Sequence, residues 1–167
     1  MDFSLPAFTL WLNSTALSLA IRNAQGVIPL LQTIHILSVA VVIWSALMVD
    51  LRVLGVVGRN ESGSAIATRF LPPIWWTLIV LLATGMILII GEPKRTLENY
   101  VFQFKMITLI VGILATLGIK HFLTNDADFD HQAQVQTLGA AAKALAILSI
   151  VSWVAIIFAG RWIAYVR

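Results

Sequence analysis

The chain has 167 residues, of which 59% are hydrophobic and 11% charged, with a formal net charge of +3. Such a balance excludes an ordinary soluble domain and points to a chain solvated by lipid. Its Lys and Arg cluster at the ends of apolar runs, where headgroups lie, so the positive charge implies no nucleic-acid partner; with no cysteine, disulfides, thiolate metal sites, iron–sulfur clusters and thioether-linked haem are excluded.

Residues 6–23 form the first element in chain order. Phe8, Trp11, Leu12, Leu19 and Ala20 are apolar on one side, while Ser14, Ser18 and Arg22 recur four apart on another. Asn13, Ser14 and Thr15 in a row are costly in hydrocarbon, so this segment reads as an amphipathic helix lying in the interface. Asp2 and the absence of a basic start argue against a cleaved signal peptide.

Four apolar segments follow, near 27–50, 71–91, 101–121 and 139–161. Each has the roughly 20 residues that a helix rising about 1.5 Å per residue needs to cross the bilayer core. The second carries no charge from Leu71 to Gly91 and opens on Pro72 and Pro73, which suit a first helical turn. To reach spanning length before Lys120 and His121, the third has to start near Val101, which places Lys105 inside the slab. The fourth lies between Lys143 and Arg161, both able to snorkel outward. The expected fold is all-α: one membrane domain over residues 1–167, an integral membrane four-helix bundle preceded by an amphipathic interfacial helix.

Chain direction sorts the connections. The polar loop 58–69 and the loop 125–136 leave on one face, side B; the N-terminal helix, the loop 92–98 and the C-terminus share side A. Six basic residues lie toward side A (Arg22, Lys94, Arg95, Lys105, Arg161, Arg167) and five toward side B (Arg52, Arg59, Arg69, Lys120, Lys143). Counts this close leave the orientation open under the positive-inside rule.

Intramembrane ionisable groups are expensive and usually face the bundle interior. His35 lies about eight residues, roughly 12 Å, from the side A end of its span, too deep for an imidazole to snorkel. Ser38, Val39, Val42, Ser45 and Ala46 share roughly one face with it, and Gly112 and Thr116 follow Lys105 at seven and eleven residues. Two facing small-residue stripes can leave room for a flat cofactor, or can simply bring helices close. His35 can equally bond a neighbouring helix, and Lys105 can snorkel to side A.

Haem b accounts for the pair. Its iron takes axial nitrogen ligands, and a buried porphyrin needs apolar walls with cations near its propionates. A lysine ligates only when neutral, the form that desolvation favours. His35 and Lys105 are therefore the expected metal ligands, Arg95 and Arg161 the cations for the propionates, and Met86 the substitute second ligand, with flexible packing as its plainer role. Asp50, Arg52, Arg69, Lys120 and His121 gather at side B as an ion-pair network or a proton-handling cluster. His131, with Asp128 and Asp130, belongs to an acidic loop. Trp75 and Trp76, near side B, anchor in the headgroups or meet a partner.

The stretch IHILSVAVVIWSALMVDLRVLG, then LPPIWWTLIVLLATG and FQFKMITLIVGILATLGIKHF, resembles a family of uncharacterised bacterial four-helix membrane proteins. The N-terminal WLNSTALSLAIRNAQGVIPLLQTIH fits it too. More distantly, the order of an intramembrane His, a later Arg, a Pro before the second span, a Gly within it and a Lys opening the third is similar to the HemJ-type protoporphyrinogen oxidases. The copper-resistance D membrane proteins share this layout. The HemJ resemblance implies b-haem binding by His35 and Lys105 and matches Arg52 to the later arginine. The further histidine and the Arg/Asn/Glu motif of that family are missing, so the resemblance reaches haem binding rather than oxidase activity. The expected function is electron transfer by a membrane haem protein of the bacterial inner membrane, alone or as a subunit of a larger redox complex. The alternatives are a protoporphyrinogen-oxidase-like enzyme, a cofactor-free scaffold or anchor, and transport, including that of copper.

Overall fold

The computed structural model describes residues 4–58, 61–125, 139–163 and 165–166. His131, Asp128 and Asp130, like Arg59 and Arg167, lie outside the described residues. Seven helices occur among those described: α1 (Leu5–Asn13), α2 (Ala16–Asn23), α3 (Val27–Val53), α4 (Gly63–Gly91), α5 (Pro93–Leu97), α6 (Tyr100–Asn125) and α7 (Ala140–Trp162). Four of them are long and apolar enough to cross a bilayer: α3, α4, α6 over Tyr100–Leu123, and α7. The chain is an integral membrane protein.

The N-terminal segment differs from the single interfacial helix expected. Ser14 and Thr15 donate their hydroxyls back to Trp11 O and Leu12 O, both at 2.7 Å. Such local bonds offer the backbone an alternative to helix and favour a break. Thr15 Oγ1 then caps α2 by accepting from Ser18 N–H at 3.3 Å. Arg22 ties the two pieces together by donating to Asn13 O at 3.0 Å. The turn into α3 rests on Gly26, whose φ of 84° is open to a residue without Cβ.

The second span also begins earlier than its prolines suggest. Ser62 Oγ accepts from Ala65 N–H at 3.1 Å, so α4 starts at Gly63 and Pro72 and Pro73 lie within it. Having no N–H, the two prolines leave the carbonyls of Thr68 and Arg69 without their helical donors. A helix supported by neighbours in a membrane tolerates that loss. The residues 63–70 thus form two extra turns at side B, with Arg69 exposed and ion-paired to Glu61 at 3.5 Å.

The four spans pack as two hairpins, α3 with α4 and α6 with α7, joined chiefly through α3 and α7. Between helices in lipid the drive is close packing and hydrogen bonding rather than escape from water. The core shows this in its small or branched residues, including Val42, Ala46, Ile74, Ile119 and Ala146. It is uneven along the membrane normal. No residue of α3 before Ser38 is buried, none of α6 between Phe102 and Val111, and in α4 Thr84 is the one buried residue between Trp75 and Ile90. Burial in α3, α4 and α6 thus concentrates toward side B, while α7 stays buried through Ala159; at side A, α1, α2 and α5 cover the end of the bundle. There Thr9, fully buried in α1, hydrogen-bonds the Glu98 carboxylate beyond α5.

Candidate functional site

His35 projects from the less buried half of α3 toward α4. Its Nδ1 lies 2.8 Å from Thr84 Oγ1. The Thr84 hydroxyl has one proton, and Val80 O takes it at 2.8 Å. With that proton on Val80 O, the oxygen accepts from His35 Nδ1–H, and in this tautomer the lone pair of the neutral ring falls on Nε2. A neighbour thus sets both the orientation and the tautomer of the imidazole, as the outer partners of metal-bound histidines do.

Gly85 follows Thr84 and gives the ring its space. A Cβ built there would sit 3.6 Å from His35 Cε1, so alanine fits in ordinary contact with the ring. Lys105 lies on α6, in the facing hairpin. Its Nζ lies against α7, 3.6 Å from where a Cβ of Gly160 would be. Thus one hairpin supplies a clamped imidazole and the other an amine in a glycine notch, both in the side A half of the bundle.

The other expected site residues lie elsewhere. Arg161 adjoins Gly160 in the chain, but its side chain is exposed and its Cζ lies 5.7 Å from the Tyr165 ring centroid. Arg95, on α5, is ion-paired with Glu92 at 2.9 Å. Both remain on the side A surface. Met86 is 55% exposed, which leaves His35 and Lys105 as the two candidate ligands in the side A half of the bundle.

The side B cluster divides. Arg52 donates to Glu61 O at 2.7 Å and Arg69 pairs with the Glu61 carboxylate, so the polar network centres on a loop glutamate. Lys120 and His121 are exposed. Asp50 turns inward and is 2% exposed. A surface groove of about 540 Å³, lined by Trp75, Trp76 and Lys120 among others, lies on this side, remote from His35.

Residues 8–166 match a family model described as a family of unknown function, DUF6644. The chain belongs to that family. No curated protein and no solved structure matches it.

Among the described residues of this DUF6644 chain, no three His, Asp or Glu side chains converge as a metal cage. A bare divalent ion commonly takes four or more donors. Haem iron brings four nitrogens of its own and asks the protein for one or two. The donor set here, one imidazole held by Thr84 and one amine in the same half of the bundle, matches that smaller demand in number.

The sequence alone does not mark Thr84, Gly85 and Gly160 as site residues. A trace of the first two is present: Ala83, Thr84 and Gly85 interrupt the run of large aliphatic side chains in the second span. Nothing local pairs Thr84 with a histidine 49 positions earlier.

Proposed function

We propose that this chain binds haem b in the side A half of the bundle and serves electron transfer, alone or as a membrane subunit of a redox complex. The observation that carries the reading is the His35–Thr84 hydrogen bond, which holds the ring by Nδ1 and leaves Nε2 as the nitrogen able to ligate. Lys105 is the second ligand in this proposal. Haem b, when bound, supplies a one-electron iron couple. The chain's own part is to orient His35, to present Lys105 from the facing hairpin, to exclude water with aliphatic walls and to offer Arg161 and Arg95 near side A for acidic groups.

A second reading rests on the same bond: His35 and Thr84 staple α3 to α4 with no cofactor, because the pair is already a satisfied interhelical hydrogen bond. Purification from haem-replete cells separates the two. Haem binding predicts an intense Soret absorption that shifts on reduction and changes in Lys105→Met. A colourless protein that also fails to take up added hemin favours the staple and ends the haem proposal.

A further inference from the structure

Asp50 of α3 with Ser149 and Trp153 of α7 pose a separate problem in the core. They are 2%, 0% and 4% exposed. Asp50 Oδ2, Ser149 Oγ and Trp153 Nε1 all lack a hydrogen-bond partner. Ser149 is the polar side chain that acts on the Asp50 carboxyl, yet the two stop short of hydrogen-bond geometry. Trp153 lies one turn further along the same face of α7, its indole against the position of Gly112 on α6.

Charge balance sharpens the problem. An ionised carboxylate removed from water requires a cation or several donors. Neither described ion pair, Arg69–Glu61 nor Arg95–Glu92, includes Asp50. On its own helix, Arg52 donates to Glu61 O; Arg69 of α4 is held by Glu61; Lys120 and His121 of α6 are exposed, and Lys143 of α7 precedes Ser149 by six residues, about 9 Å along the axis. One hydroxyl is far too little for a carboxylate. It comes closer to the need of a neutral carboxylic acid, which has a single proton to donate and for which the unpartnered Ser149 Oγ is an available acceptor.

The geometry points to a proton-binding site at Asp50, closed by Ser149. The site stands apart from the His35 reading. Its chemistry is uptake of one proton by the carboxylate to give the neutral acid, and release of the same proton to water. Asp50 lies three residues before the end of α3 at Val53, about 4.5 Å along the axis, so exchange is with side B.

Infrared spectroscopy of the full chain in lipid nanodiscs tests this. At neutral pH the wild type is expected to show a carboxylic-acid C=O band, sensitive to deuteration, that Asp50→Asn lacks. In Ser149→Ala the band should persist and shift in frequency, because the acid loses its acceptor. Identical carboxylic-acid regions in wild type and Asp50→Asn would overturn the proposal. So would a carboxylate band that moves when sodium is exchanged for choline, since a metal cation would then balance the charge. If Asp50→Asn does not fold, Ser149→Ala decides: a shifted band supports the site and an unmoved one removes it.

Discussion

Thr84→Val removes the oxygen that accepts from His35 Nδ1–H and changes little else. Valine keeps the β-branch and the volume, so the α3–α4 packing around the buried Thr84 is preserved. As a helix staple, the lost bond should cost about 0.6 kcal/mol and at most roughly 1.7 kcal/mol of fold stability, the range for interhelical hydrogen bonds in membranes. As the partner that orients a ligand, it should cost roughly 10–100-fold in haem affinity. Those factors correspond to about 1.4–2.8 kcal/mol. The two roles differ in which quantity moves more. Apoprotein in detergent would be titrated with hemin by Soret absorbance, beside denaturant unfolding of the same samples. The haem reading predicts a loss of affinity exceeding the loss of stability, with Thr84→Ser restoring the affinity because it restores the acceptor. Unchanged hemin affinity in Thr84→Val, together with a drop in stability, would refute the reasoning and leave Thr84 a staple.

Further outcomes follow from the same contacts. Gly85→Ala should retain haem, since its Cβ would stand 3.6 Å from His35 Cε1 in ordinary contact, whereas Gly85→Leu should displace the ring and abolish the Soret band; equal spectra in both would place the ligand elsewhere. Lys105→Met should keep haem bound through His35 but alter the visible spectrum through a changed axial ligand, and a spectrum identical to wild type would remove Lys105 from the iron. At the side A end, Thr9→Val deletes the donor to the Glu98 carboxylate; a hydrogen bond to a charged group is worth about 1.5–3 kcal/mol, so amide exchange in α1 should accelerate roughly 10–150-fold while the spans are unaffected.

The four spans could be read from sequence because bilayer thickness imposes a length on every apolar run. Boundaries were less legible where two local rules compete. Pro72 and Pro73 look like a helix start, but the Ser62 cap begins α4 at Gly63 and carries the helix through them. The N-terminal segment has the amphipathic pattern of one helix, yet the hydroxyls of Ser14 and Thr15 divide it. At the site, the depth of His35 and the level of Lys105 follow from counting residues along each span. Thr84 as the partner of His35 does not, because it depends on how α3 and α4 are rotated against each other. Asp50 illustrates the same limit: among Arg52, Arg69, Lys120 and His121 it reads as one more charge at the headgroups, while the packing of α7 turns it into the core.

The most direct test of the haem assignment is chemical rescue of the proposed ligand. His35→Gly, purified from haem-replete cells, would be titrated with imidazole while its visible spectrum is followed. The account predicts that the variant lacks the wild-type Soret band and recovers it as imidazole fills the vacated position beside Thr84 and Gly85. A His35→Gly protein that holds haem with the wild-type spectrum and ignores imidazole would contradict it.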